Sequence, residues 1–196
     1  MHVPTHILSG WCIGNVFRLT ARERLFCMAA ATLPDLDGAS YAFGKEAYWT
    51  YHHVACHNLL FAVVTAAVLA AFSARRAPAF IVYLGLAHVH FVLDYVGSGP
   101  GWPIDYGWPL WKSRWVNPDA WEFSGWQNRA AAGGLLLWTV AIAVVRRRTP
   151  VEMVSPSLDA KLVRRPPPAG VGFDTVARPR PGVAGGTLAS PGSRRD

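Results

Sequence analysis

Residues 58–74, NLLFAVVTAAVLAAFSA, contain no charged side chain. A helix that crosses a bilayer needs roughly 20 apolar residues, about 17 at the short end, so this stretch meets the lower bound for a membrane span. Two more stretches of the same character follow. Residues 77–96, APAFIVYLGLAHVHFVLDYV, are interrupted only by His88, His90 and Asp94. Residues 130–145, AAAGGLLLWTVAIAVV, stop at Arg146, Arg147 and Arg148. Two shorter apolar runs, 7–19 and 25–33, flank the basic turn RLTARER and read as a hairpin too short to cross fully. The pattern predicts an all-α, polytopic membrane helical bundle: three long apolar helices plus a short N-terminal helical hairpin. Buried helices of a soluble bundle are the competing explanation of such runs.

Composition agrees. The chain has 196 residues, 52% hydrophobic and 16% charged, which excludes a disordered protein as a whole, and its three cysteines exclude a disulfide scaffold. No CxxC pair occurs, so Cys12, Cys27 and Cys56 are read as small apolar residues. The net charge of +7 is unevenly spread: residues 1–145 hold nine Lys and Arg against eight Asp and Glu, whereas residues 146–196 hold ten against four. That last segment carries eight of the fifteen prolines and a single aromatic ring, Phe173. It has no apolar periodicity with which to offset its conformational entropy. The chain therefore divides into a membrane-embedded domain, 1–148, and a disordered Pro/Gly/Arg-rich tail, 149–196. Without aromatic rings among its basic residues, the tail gives no reason to expect a specific nucleic-acid partner.

Positive charge sets orientation, because cytoplasmic loops of membrane proteins carry the excess of Lys and Arg. One set of turns holds Arg18, Arg22, Arg24, Arg75, Arg76 and Arg146 to Arg148; the opposite set holds only Lys45, Lys112, Arg114 and Arg129. The first set, and the C-terminus with it, is expected to be cytoplasmic. Loops 38–56 and 98–128 are then outside, the latter with six of the nine tryptophans, residues suited to an interfacial cap or to packing over helix ends. The N-terminal MHVPTHILSGW lacks a basic n-region and a small-residue cleavage site, so no secretory signal peptide is expected.

All seven histidines lie at or before position 90. Under this topology His6, Asp35, Asp37, His52, His57, His90 and Asp94 fall at the non-basic end of four segments. The spacing of His90 and Asp94 puts both on one helix face, whereas His88 points nearly opposite. Ionisable groups at the membrane edge are costly and are functional by default, and this set is expected to hold a divalent metal. Mixed imidazole and carboxylate ligands suit zinc, manganese or iron(II), as one or two ions. Asp35, Asp37 and Asp94 are the candidate catalytic carboxylates. No G-x-S-x-G and no P-loop occurs.

Four elements carry a family resemblance: THILSG at 5–10, LPDLD at 33–37, HHVACHNLLF at 52–61, and HVHFVLDYVGSGPGWPIDYGWPLW at 88–111. In order and spacing they resemble the YdjM-like (LexA-regulated) membrane-bound, metal-dependent hydrolases of bacteria. The family's third element looks like HRGxTHSLL, matching His52 and His57, and its fourth like HxxxDxxTxxGxxxLWP, matching His90 and Asp94. The chain departs at His53 for Arg, Val54 for Gly, Asn58 for Ser, and Ser98 near a Thr. Losing that Arg removes a phosphate clamp. The resemblance implies a metal-dependent hydrolase of the bacterial inner membrane, acting on an ester or phosphoester that is a small molecule or lipid-linked, with membrane lipid as its surroundings. The alternative from another class is a metal or proton transporter, or a scaffold, using the same cluster.

Overall fold

The computed structural model describes residues 1–163, and among these every regular element is helical. A hairpin comes first, α1 (Val3–Gly14) and α2 (Ala21–Ala30). Its turn is set by a capping box: Thr20 Oγ1 accepts from Glu23 N–H, while the Glu23 carboxylate accepts from Thr20 N–H. A 3-10 helix (Leu33–Phe43) and the short α3 (Lys45–Tyr51) then cross the end of the bundle. Next come α4 (Leu59–Ala71), α5 (Arg76–Gly97) and α6 (Trp126–Arg146).

Two helices, α5 with 22 residues and α6 with 21, are long and apolar enough to cross a membrane. The expected third one is shorter: α4 has 13 residues, about 20 Å at 1.5 Å per residue, against a hydrocarbon core of about 30 Å. Asn58 stops it at the N-terminus. Its Oδ1 accepts from Phe61 N–H and its amide donates to the Val54 and Ala55 carbonyls, which turns the chain away before Leu59. At the other end residues 72–75 return the chain to α5, and Ala74 N–H donates to Glu23.

The central packing is of α5 against α4, with α2 beside both. Cys27, Ala30, Ala66, Ala70, Tyr83 and Leu86 form its buried core, and the small side chains of α2 and α4 permit close approach. α6 lies outermost, against α1, with Leu137, Val144 and Val145 facing outward. Of the expected disordered tail, residues 164–196 lie outside the described residues. Residues 149–163 are folded, as a 3-10 turn (Pro150–Met153) and α7 (Pro156–Leu162).

Gly10 is where α1 and α2 come closest. A Cβ there would meet the Cys27 carbonyl oxygen at 2.5 Å and Met28 Cα at 2.8 Å, both backbone atoms. His6 lies one turn earlier on α1, so the same contact fixes how deeply that imidazole enters the bundle. Gly10→Ala is expected to cost about 1–3 kcal/mol through overpacking, read as a lower midpoint of thermal unfolding in detergent. An unchanged midpoint would mean that the hairpin opens without cost.

Candidate metal centre

Asp94, on the last turns of α5, is the hub. It is buried, and three ring nitrogens from two other segments converge on it together with that of His90, four residues earlier. Its Oδ2 lies 3.1 Å from His57 Nε2, 3.0 Å from His90 Nε2 and 3.6 Å from His53 Nε2. Its Oδ1 lies 3.2 Å from His6 Nε2 and also accepts from Ser98 Oγ and the Met1 α-ammonium. Asp35 closes the cluster, with Oδ1 at 3.7 Å from His90 Nε2 and 4.0 Å from His57 Nε2.

Two of these imidazoles are held by their far nitrogens. His90 Nδ1–H donates to the Ala31 carbonyl at 2.8 Å, and His57 Nδ1–H donates to Asp37 Oδ2 at 2.9 Å. Each bond orients its ring with Nε2 aimed inward, the arrangement by which metal-binding histidines are held. Asp37 therefore stands behind the histidines. Oδ1 of Asp37 takes the His52 Nδ1–H at 2.7 Å, and the Cys56 N–H donates to Oδ2 beside His57. Local sequence explains this geometry. Pro34 and Gly38 bracket the carboxylates in a 3-10 helix, and the chain from His52 to Asn58 is irregular, so His52 and His57 can both reach one side chain.

Of the seven residues expected at the site, the structure gathers His6, Asp35, His57, His90 and Asp94 around a common centre and puts Asp37 and His52 on its flank. His6, Asp35, His90 and Asp94 can hold a metal ion, as can His52, His53 and His57. The donor set fits: the imidazoles are buried, the carboxylates hard, and Asp35 Oδ2 is buried without a hydrogen-bond partner. His88 points away, bonded to the Leu84 carbonyl and the Tyr106 hydroxyl.

His53 stands outside the expected set. It is buried, takes a left-handed φ of 67°, and has an Nδ1 without a hydrogen-bond partner. A non-glycine residue in that region is strained, and strain at a buried imidazole marks function better than packing does. The available signal was its spacing of four from His57. Tyr48, Trp49, Trp102 and Phe123 were likewise invisible as a group. With Met1, Asp35, His52, His53, Asp94 and Ser98 they line a cavity of about 320 Å³ that opens onto the cluster.

Burial opposes charge on Asp37, but hydrogen bonds and charges from His52 and His57 outweigh it and hold the carboxyl well below the usual range. Burial also opposes a proton on His57, yet hydrogen bonds to Asp37 and Asp94 raise its pKa from 6.5 to about 9. For His53, burial and the neighbouring His57 push it well below 6.5. A raised histidine pKa stabilises the fold fully below the unfolded value and is lost as pH rises through the folded one. Metal-free protein is thus expected to lose thermal stability between pH 6.5 and about 9. Metal binding must displace that proton, so titration calorimetry in buffers of different ionisation enthalpy is expected to show about one proton released per chain on saturation at pH 7. Metal binding without proton release would contradict a protonated His57.

The family model for the YdjM inner membrane protein matches residues 1–154. No curated protein and no solved structure matches the chain.

Proposed function

The chain belongs to the YdjM inner membrane protein family, and from that premise we propose that it is a metal-dependent hydrolase of an ester or phosphoester carried on a lipid. The observation that supports this best is the pair of tied imidazoles, His57 and His90, whose free nitrogens meet Asp35 and Asp94 at the floor of an aromatic cavity. His6, Asp35, His57, His90 and Asp94 would hold zinc, manganese or iron(II). When bound, such an ion polarises a carbonyl or phosphoryl oxygen and lowers the pKa of water.

The chain's own groups do the rest. Tyr48, Trp49, Trp102 and Phe123 give the apolar part of a substrate a surface and keep bulk water from the cluster. Asp35 lines the cavity, so it is the carboxylate of the centre that meets the substrate. Asp37 positions His52 and His57, and Asp94 holds the four imidazoles together. His53, where the resembling sequences carry Arg, meets the substrate with a neutral imidazole.

The positive turns argue for a multi-pass protein with its C-terminus in the cytoplasm and its site toward the outer leaflet, where membrane lipid reaches the cavity. Transport is less well supported. Between the cluster and the Arg-bearing end, the described core of Cys27, Ala30, Ala66, Ala70, Tyr83 and Leu86 holds no histidine or carboxylate, and a pathway needs ionisable groups at several depths. The test is elemental analysis of detergent-purified protein together with hydrolysis of carboxyl-ester and phosphoester lipids. Stoichiometric transition metal, lost in His57→Ala along with hydrolysis, is the expected result. Protein free of metal, with no hydrolysis that depends on added metal, would end the proposal.

A further inference from the structure

Asp35 and Asp94 each divide their two oxygens between different imidazoles. We infer that the centre holds two divalent ions, bridged by these two carboxylates. This rests on the metal-dependent reading above and goes beyond it by fixing the number of ions and the ligands of each.

One half of the centre comprises Asp94 Oδ2, Asp35 Oδ1, His57 Nε2 and His90 Nε2. The two nitrogens are 3.0 Å apart, Asp94 Oδ2 is 3.1 and 3.0 Å from them, and Asp35 Oδ1 is 4.0 and 3.7 Å from them. Four donors bonded tetrahedrally at about 2.1 Å stand about 3.4 Å apart along each edge. The measured separations bracket that value, so one ion satisfies this half with no donor left over.

The second half uses the opposite oxygens. His6 Nε2 lies 3.2 Å from Asp94 Oδ1 and 4.0 Å from Asp35 Oδ2. A single ion in the first half would leave Asp35 Oδ2 buried without a partner, and an unsatisfied buried carboxylate oxygen is costly. The His6 ring stacks on His90 with centroids 3.9 Å apart, so the two imidazoles lie side by side and offer their nitrogens to adjacent positions. The Met1 α-ammonium meets Asp94 Oδ1 on this side, where the site already attracts positive charge. His53 Nε2, 3.6 Å from Asp94 Oδ2, borders the first half and is not needed to complete either one.

The full chain in detergent, stripped with chelator, is titrated with Zn(II) for stoichiometry and with Mn(II) for electron paramagnetic resonance. Two equivalents of zinc per chain and an exchange-coupled manganese pair are expected. His6→Ala is expected to retain one equivalent and give an uncoupled manganese spectrum; His6→Gln, checked by circular dichroism, repeats the test if the alanine variant misfolds. One equivalent at saturation in the unsubstituted protein, or two without coupling, overturns the bridged pair while leaving a metal-dependent site. No bound metal overturns both readings, so the two failures are told apart.

Discussion

Asp94→Asn is expected to abolish stoichiometric metal and to lower affinity for added zinc by at least about 100-fold, because the affected group contacts the ion where outer partners alone are worth 10–100-fold. The geometry makes this the most damaging single change at the centre. Nitrogens of His6, His53, His57 and His90 and the Met1 ammonium all face one carboxylate. Asn keeps the shape and removes the charge. It also puts an NH₂ either against the Met1 ammonium and Ser98 hydroxyl or against the protonated His57, so at least one contact becomes donor against donor. The metal-free variant should lose stability as well, by about 3–5 kcal/mol at neutral pH, since breaking a buried ion pair strands its partner; that partner is the Met1 α-ammonium, whereas His57 keeps Asp37. Dialysis against zinc and thermal unfolding with and without chelator measure the two effects. Retention of wild-type zinc content in folded Asp94→Asn would remove Asp94 from the centre.

Much of this site was legible in the sequence because it depends on helix ends. Once the Arg-bearing turns are assigned to one side, His6, Asp35, His57, His90 and Asp94 must share the other, whatever the details of packing. What the pattern could not separate is a carboxylate that faces the centre from one that stands behind it. Asp35 and Asp37 are two residues apart in LPDLD, and only the 3-10 geometry sends Asp37 toward His52 and His57 and Asp35 toward His90. His53 was obscured for a similar reason. Its role depends on a left-handed backbone that periodicity does not report. α4 is shorter than expected because the uncharged run continues past the hydrogen-bonded helix through residues 72–74, and the Asn58 cap and the turn at 72–75 end the helix regardless of hydropathy.

The segment after α6 gave the largest departure from expectation, and it leads to a second strong prediction. Composition places residues 149–163 with the tail, yet Glu152 is buried and its carboxylate pairs with Arg24 in two bonds, 2.7 Å from Nε and 2.6 Å from Nη2. Trp11 Nε1–H adds a third bond to the same carboxylate at 3.3 Å. Arg24 donates a further bond to the Leu19 carbonyl, so the guanidinium ties the α1–α2 turn to the chain leaving α6. Thr149 reinforces the strap, its backbone N–H and hydroxyl both donating to Asp159. Glu152→Ala would leave Arg24, only 4% exposed, without its carboxylate, and removing one member of a buried pair costs about 3–5 kcal/mol. The expected result is a marked fall in the unfolding midpoint with zinc content per folded chain unchanged, since the pair lies at the end of α2 away from the metal centre. The double variant Arg24→Met with Glu152→Leu should recover most of the loss, because it removes both charges and keeps apolar volume. If Glu152→Ala unfolds at the wild-type temperature, residues 149–163 do not dock on the helical hairpin in solution. If it instead loses metal while remaining folded, the strap and the distant centre are coupled through α2, whose C-terminal neighbour Ala31 holds His90.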